Sequence, residues 1–370
     1  MTISPADDFM IHQTPDPIRW VGTSDRRFYD RHFLTGHSRD GQVAFLCGIG
    51  VYPNLGVIDC FASVTVGNTQ YTTRASRELG HDRMDTAGIG PFGLQILEGL
   101  RTLRFTCAPH EDQLVSLDLR WDGSAPAFAE PPLFSRVMDR VMDAGTRIIQ
   151  TGTWSGHIRV AGREFEVTPD QWQGGRDRSW GVRSMGMERE PKGIAHAHQV
   201  AKNRTTLWIW SPMQFRDRTV HFSLSEFPDG ERDVNTVRES LSYERGGELR
   251  LLSGPDHELV LDPHDRELHK GQVSWREADG SRRTVHLTPI SRIYLRAGTG
   301  YGGPDPWRHG TYMGREWVDS VSFDLTDPAV TTKIGPTHVM CRMEADDGEI
   351  GYGTFEVQVF GAHERYGFSA

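Results

Sequence analysis

The sequence predicts an all-β protein built from antiparallel sandwiches or barrels, and three observations lead to this prediction. Glycine and proline are frequent, with 40 Gly and 20 Pro among 370 residues, which is typical of a chain with many turns. The 17 Phe, 10 Trp and 9 Tyr are spread along the whole length, and a disordered chain does not carry so many aromatic residues. Short apolar or alternating runs are separated by turn signals at intervals of about 8–12 residues, which is the spacing expected of such folds.

In the first half of the chain, two patterns predict strands. Residues 60–66 and 69–73 are β-prone runs on either side of a Gly67-Asn68 turn. Residues 114–121 alternate apolar and polar side chains and stop at Asp122-Gly123. An alternation with a period of two places successive side chains on opposite faces of a strand, so these runs indicate half-buried strands.

One segment predicts a helix, near residues 132–143. Its apolar residues recur with helical spacing: Leu133, Phe134, Val137, Met138, Val141 and Met142. Pro131 and Pro132 stand before this stripe and Gly145 follows it, which suits a helix start and a helix end. We expect a short helix that connects strands across the sheet, with a mobile lid as the alternative.

The second half contains further strand signals. Residues 271–275 and 284–287 flank Asp279-Gly280, and an Asp-Gly pair readily adopts the positive φ angles of a type I′ hairpin turn. Residues 354–360, TFEVQVF, form an alternating run near the C-terminus. Its apolar members share one face of the predicted strand: Phe355, Val357 and Val359.

Composition and charge exclude several classes of protein. The formal net charge of −9 argues against a nucleic-acid partner, because phosphate binding needs a clustered positive surface. No apolar run approaches 18 residues and no secretory signal is visible at the N-terminus, so we expect a cytoplasmic protein without a transmembrane segment. The cysteines Cys47, Cys60, Cys107 and Cys341 are scattered, and we expect free, buried thiols.

Chain length predicts two domains, because single hydrophobic cores rarely grow beyond roughly 250–300 residues. A seam near Pro169 divides the chain into an N-terminal β domain, residues 1–170, which includes the predicted helix, and a C-terminal β domain, residues 171–370. A homodimer is allowed by this arrangement.

The segment GGRDRSWGVR, residues 174–183, is the densest in ionisable groups. If it is a strand, Asp177 lies on one face, while Arg178 and Trp180 lie on the other. An Asp177 aimed into a cavity would have a raised pKa and could act as a general acid. The alternative is a solvated turn in which Asp177 pairs with a neighbouring arginine. If Asp177 is ionised, Arg183 is a candidate to bind a carboxylate or carbonyl group of the substrate.

The next segment adds paired histidines and tryptophans. His196 and His198 share one face of a predicted strand, and Trp208 and Trp210 share a face of the strand that follows. A His-x-His pair supplies half of a common zinc site, but no further ligand is identifiable by spacing, so we predict no metal site. The two indoles are either part of a barrel core or part of a ligand pocket, and these surfaces adjoin one another inside a barrel.

A glycine-rich loop, residues 298–314, gathers Tyr301, Trp307 and His309 and is a candidate rim for a ligand site. The alternative is that these aromatic side chains only anchor a long loop. The segment GTGYGG in this loop is followed by no helix, so it does not predict a dinucleotide site. A Gly-x-Ser-x-Gly elbow and a phosphate-binding P-loop motif are also absent from the sequence.

Asp177-Arg178-Ser179-Trp180-Gly181 resembles the D-x-[NS]-W-G signature of the carotenoid 1,2-hydratase/AttH-like superfamily. Residues 27–33, the tripeptide Tyr52-Pro53-Asn54 and residues 351–368 resemble a bacterial branch of that superfamily whose function is not established. The resemblance runs from about Phe28 to Phe368. It implies a calycin-type fold with two lipocalin-like antiparallel barrels. The hydratase pattern has a tyrosine two residues before the aspartate, where this chain has Gly175.

The resemblance also implies a chemistry. In hydratase members, the aspartate at the position of Asp177 protonates an isoprenoid double bond; other relatives fold polyenes or bind lipids. We therefore expect a lyase or isomerase, needing no cofactor, that acts on a hydrophobic terpenoid, steroid-like or polyketide-like molecule. A non-catalytic lipid carrier is the alternative, and a structural role for Asp177 between the barrels is a third interpretation.

The expected catalytic residues are Asp177, with His196 or His309 as a second proton carrier. The expected substrate-binding residues are Arg178, Trp180, Arg183, His198, Trp208, Trp210, Tyr301 and Trp307.

Overall fold

The computed structural model describes residues 3–111, 113–137, 140–183, 206–335 and 337–369. The first-half strands are β1 (Phe28–Ser38), β2 (Val43–Tyr52), β3 (Val57–Val66), β4 (Thr69–Glu78), β5 (Phe92–Glu98), β6 (Thr102–Cys107), β7 (Val115–Gly123), β8 (Phe128–Ala129), β9 (Leu133–Val137), β10 (Arg140–Val160), β11 (Arg163–Val167) and β12 (Trp172–Val182). The second-half strands are β13 (Leu207–Gln214), β14 (Arg218–Glu226), β15 (Arg232–Leu241), β16 (Leu249–Leu261), β17 (Leu268–Arg276), β18 (Arg282–Tyr294), β19 (Trp317–Asp324), β20 (Thr337–Ala345) and β21 (Ile350–Val359). One described segment is an α-helix, α1 (Pro328–Ile334), and 3₁₀ turns span Pro5–Asp8, Tyr243–Arg245 and Glu364–Tyr366.

The all-β prediction is confirmed, and the described strands form two antiparallel sheets. The first sheet has the order β19-β4-β3-β2-β1-β12-β10-β7-β6-β5, with β8, β9 and β11 also paired to β10. It curls around an apolar core that includes Phe45, Trp121 and Trp154. Alternation explains this core, because each strand turns every second side chain inward.

The second sheet is a closed barrel with the order β13-β14-β15-β16-β17-β18-β20-β21, in which β21 pairs back to β13. Its core includes Phe222, Trp275 and Phe355. The predicted hairpin turn at Asp279-Gly280 joins β17 to β18, but it is not of type I′, because Gly280 has a positive φ, +86°, and Asp279 does not. Phe355 and Val357 point into the barrel core, as the alternation in residues 354–360 predicts.

The helix predicted near residues 132–143 is wrong. Leu133–Val137 is β9, and it pairs with the first part of the long strand β10, with Leu133 opposite Gly145. Leu133 and Phe134 are exposed, so the apolar stripe has no core to cover. The backbone is satisfied by pairing with β10, and this long-range pairing outweighs the local helical spacing.

The strands change sheets after Val182 rather than at residues 170/171, because β12 pairs with β1 and β10 of the first sheet. In addition, β19 leaves the second half of the chain and pairs with β4. The division into two lipocalin-like domains stays a prediction. The four cysteines are free and buried, as expected. Among the described residues, no helix has the length and apolar character needed to cross a membrane.

Candidate functional site

A cavity of about 790 Å³ lies where the first sheet meets the barrel. Its walls come from β1, β10 and β12 of the first sheet, from β13, β20 and β21 of the barrel, and from the loop that follows β18. The volume is in the range of small-molecule sites. Both sheets contribute charged side chains to it, which is unusual for surfaces that pack together.

Asp177 is on β12 and lines this cavity. Its side chain is 18% exposed, and its Oδ2 lies 3.7 Å from Arg147 Nε on the neighbouring strand. Its Oδ1 is buried and accepts no hydrogen bond from any described residue. Burial raises the pKa of Asp177, while Arg147 opposes the rise. The carboxyl group therefore lines a cavity, and one of its two oxygens has no hydrogen-bond partner among the described residues.

Glu356 is on β21 and contributes a second carboxyl group from the barrel side. Burial raises its pKa to about 7, with a further contribution from the nearby charge of Asp177 and with Arg147 acting against it. Its Oε1 accepts a hydrogen bond from Gln358 Nε2. At neutral pH, Glu356 is thus close to half protonated and can either give or take a proton.

His338 is the partner of Glu356 across the β20–β21 pair. Its Nε2 lies 3.8 Å from Glu356 Oε2, and its ring lies 5.5 Å from the ring of Phe33. Burial lowers the pKa of His338 to about 4, so the imidazole is neutral near pH 7. It lines the cavity as an uncharged group beside the carboxyl.

Arg147 connects the acidic groups of the site. Its Nη1 lies 3.2 Å from Glu130 Oε2, and Trp210 Nε1 donates a 2.8 Å hydrogen bond to Glu130 Oε1. Although burial disfavours the charge, Glu130 and Asp177 raise the pKa of Arg147, so it stays a cation. Glu130 adds to the rise in pKa of both Asp177 and Glu356, and Asp177 adds to that of Glu356. Burial is the main cause of the raised pKa values of Asp177 and Glu356, and the neighbouring carboxylates reinforce it.

Trp208 and Trp210 line the cavity, as expected if both lie on one face of a strand. They stand opposite Gln358 and Glu356 in the β13–β21 pair. Tyr301 lines another wall and meets Phe33 edge-on, with 6.0 Å between ring centroids. The carboxyl groups are therefore surrounded by aromatic faces.

The structure places Arg178 and Trp180 away from this cavity. Asp177 is on the cavity face of β12, so the alternation turns its neighbours to the opposite face. There Arg178 forms an ion pair with Asp30, and its guanidinium lies 5.2 Å from the Trp180 ring centroid. Arg183, just beyond the end of β12, does line the cavity.

His309 and Trp307 are also displaced from the cavity. Both are buried behind Tyr301, whose ring is 4.8 Å from that of His309. Burial lowers the pKa of His309 to about 4. Neither side chain is among the residues that line the cavity with Asp177. His196 and His198 lie outside the described residues.

Sequence reasoning missed Glu356, His338 and Arg147. In residues 354–360 it identified the face that packs inside the barrel, and Glu356 is on the other face. That face would be solvent-exposed in an isolated barrel, but here it meets the first sheet. The available signal was a single carboxylate in this alternating strand. By alternation alone, such a residue is expected to lie on a solvent-exposed face.

A second cavity of about 410 Å³ adjoins the first and shares Arg147 and Trp208 with it. Pro131, Pro132 and Leu133 contribute to its more apolar lining. Across the described ranges of the chain, no group of three or more His, Cys, Asp or Glu residues is placed to hold a metal ion.

Residues 3–369 match the profile of a family described as "Family of unknown function (DUF8625)". No curated protein matches the chain. Among solved structures, the crystal structure of kievitone hydratase from Nectria haematococca is similar, with a TM-score of 0.47 and 10% identity over 92% of this chain and 93% of that one. A crystal structure of CghA with Sch210972 has a TM-score of 0.45 and 11% identity, over 90% of this chain and 89% of that one.

Proposed function

The chain belongs to this family of unknown function, so its activity has to be inferred from its own residues, and we propose that it is an acid–base enzyme. It would be a lyase or isomerase, needing no cofactor, that acts on a hydrophobic small molecule. One observation carries the proposal: Asp177 and Glu356, whose pKa values are both raised, share a cavity around Arg147. Perturbed carboxyl groups in a cavity are characteristic of catalytic sites.

The two carboxyl groups have complementary roles in this mechanism. Protonated Glu356 gives its proton to one carbon of a double bond, and a water molecule attacks the other carbon. Asp177, ionised beside Arg147, takes the proton that this water loses, so atoms and charge balance. The same steps in reverse eliminate water. If instead Asp177 removes a proton from one carbon and Glu356 delivers a proton to another, the double bond moves and the substrate is isomerised.

The aromatic side chains would support the same chemistry. Positive charge that develops on the substrate carbons is stabilised by nearby π faces, here those of Trp208, Trp210 and Tyr301. The cavity and its apolar neighbour together suit a terpenoid, steroid-like or polyketide-like molecule. His196 and His309 are not needed for the proton transfers proposed, because Glu356 takes the part of the second proton carrier.

A screen in H₂¹⁸O and in D₂O tests the proposal. The purified protein is incubated with a panel of unsaturated terpenoid, steroid-like and polyketide-like compounds, and the products are analysed by mass spectrometry. Hydration adds the mass of labelled water, dehydration removes water, and isomerisation incorporates deuterium. We expect Asp177→Asn and Glu356→Gln each to lower turnover by roughly 100-fold or more, while ligand binding, followed by tryptophan quenching, persists.

Glu344→Gln is the matched control, because Glu344 is on β20 next to β21 but is exposed and pairs with Arg342. It should turn over substrate like the wild type. Wild-type turnover by the Asp177→Asn, Glu356→Gln double variant would rule out the acid–base proposal. Binding of panel compounds without any turnover would instead favour the carrier function, which the apolar second cavity also suits.

A further inference from the structure

A small cationic pocket lies beside the main cavity. Arg31, Tyr52, His309 and Arg183 are among its lining residues, and its volume is about 10 Å³, which is room for about one water-sized group. The pocket therefore has room for about one oxygen atom of a ligand, and Arg183 is the lining residue that it shares with the main cavity.

Several polar atoms of this pocket have no hydrogen-bond partner among the described residues, whereas Arg27, which also lines it, donates to Asp25 and to two backbone carbonyls. Arg31 is only 3% exposed, yet its Nε and Nη1 are both buried without an acceptor. The Tyr52 hydroxyl and both ring nitrogens of His309 are in the same state. A buried guanidinium without an acceptor is costly, so such a group calls for a ligand that brings oxygen atoms.

The charge in the pocket favours an anion. Four arginines, Arg26, Arg27, Arg31 and Arg183, line the pocket, and Arg27 is paired with Asp25. Asp59 is an acidic neighbour of Arg31; its Oδ1 lies 3.6 Å from His309 Nδ1 and its Oδ2 accepts the Gly310 amide at 2.7 Å. Tyr301 holds both guanidinium groups in place: the Arg31 carbon lies 4.9 Å and the Arg183 carbon 5.8 Å from its ring centroid. On the cavity side, Arg183 lies close enough to Asp177 to affect its ionisation.

We propose that the substrate is an amphipathic carboxylate: one oxygen of its anionic group enters the small pocket beside Arg31, Arg183 pairs with the same group from the cavity side, and the apolar body fills the main cavity. Guanidinium groups suit carboxylate oxygens in geometry as well as in charge. Because Arg183 lines both the pocket and the cavity that contains Asp177 and Glu356, this placement directs the carbons next to the anionic end toward the carboxyl pair. The inference rests on the proposed function only in calling the bound molecule a substrate.

Binding of cis-parinaric acid and of its methyl ester, followed by the fluorescence of the polyene, tests the preference for an anion. We expect the acid to bind on the order of 10- to 100-fold more tightly than the ester, since a hydrogen bond to a charged group contributes about 1.5–3 kcal/mol. Arg183→Met and Arg31→Met should each weaken binding of the acid and leave binding of the ester unchanged. If the Arg31→Met variant does not fold because Arg31 is buried, the Arg183→Met variant still provides the test.

Arg120→Met is the control, because Arg120 is exposed on β7 and pairs with Asp122. Equal binding of acid and ester, or binding of neither, would overturn the proposal. A thermal melt supplies a further test. If chloride or acetate alone stabilises the protein and the acid is not preferred over the ester, the pocket holds a free inorganic or small organic ion, and the proposal is overturned. Asp177→Asn should keep the preference for the acid, so loss of turnover and loss of anion recognition are separable.

Discussion

Glu356 is the residue whose charge state connects the site to the stability of the fold. Burial raises its pKa to about 7 from an ordinary value of 4.5. An unfolded chain loses this proton near the ordinary value, so between about pH 4.5 and 7 the folded protein binds more protons than the unfolded one. The free energy of unfolding should therefore fall as pH rises through this interval, by at most about 3 kcal/mol.

Glu356→Gln removes this titration, because an amide keeps the shape of the protonated carboxyl without its charge. Relative to the wild type, the variant should gain about 2–3 kcal/mol in unfolding free energy between pH 5 and pH 8. Urea unfolding followed by tryptophan fluorescence at the two pH values measures the difference. Glu344→Gln should show no such gain, and parallel pH profiles for wild type and Glu356→Gln would contradict the raised pKa.

Sequence reasoning singled out Asp177 and passed over Glu356, although both line the cavity, and the physical reason is the same in both cases. Alternation assigns side chains to two faces of a strand, and both assignments were correct. It does not say which face meets a second sheet. The unusual density of charges and glycines around Asp177 marked that strand, whereas Glu356 is a single carboxylate in an ordinary strand pattern.

Within the strands, glycines under aromatic rings account for part of the high glycine content. Gly36 on β1 stands opposite Phe45 on β2, and a Cβ added at Gly36 would lie 2.2 Å from the ring. Gly48 has the same relation to Phe61, at 2.4 Å. A glycine in a strand interior leaves room for a neighbouring ring to lie flat over the backbone. The high glycine content predicted turns, but Gly36 and Gly48 lie within strands and make room for aromatic rings.

Gly36→Ala should destabilise the protein by about 1–3 kcal/mol, the usual cost of overpacking a core. The ring of Phe45 has little freedom to move, because it packs against Trp154 and Trp172. Gly80→Ala is the matched control, since an added Cβ there meets no atom within 4 Å. Midpoints of urea unfolding compare the two variants, and equal midpoints would show that the ring shifts without cost.

The errors at the level of elements have identifiable causes. The apolar spacing over residues 133–142 fits a helix locally, but the partner strand β10 is supplied from outside that window. The helix α1 was missed, although Asp327 caps its N-terminus and Pro328 occupies its first turn. Those two residues are a recognisable start signal, and the helix is only seven residues long.

In the whole molecule, β19 ties the two sheets together. It follows the barrel strand β18 in the chain and precedes β20, yet it pairs along its length with β4 at the edge of the first sheet. Arg74 on β4 donates hydrogen bonds to Asp319 on β19 and to Asp305 in the preceding loop. Local patterns predicted the strands and the all-β class, but a pairing between residues almost 250 positions apart leaves no local signal.

Expression of the two halves as separate chains, 1–183 and 206–370, tests this connection. Without β19, the edge of β4 is unpaired, so the first fragment alone should aggregate. Co-expression should yield a soluble complex in which both fragments co-purify, because β19 then covers that edge. Circular dichroism and size-exclusion chromatography measure the outcome, and a soluble, folded 1–183 fragment on its own would contradict the role given to β19.

The location of β21 has a consequence for biosynthesis. This strand closes the barrel against β13 and carries Glu356, while Asp177 is on a strand that leaves the ribosome well before it. A chain that ends before β21 has neither a closed barrel nor Glu356, so the cavity lacks one of its walls. Completion of the cavity therefore waits for synthesis of β21, and a chain truncated before this strand should lack the proposed acid–base pair.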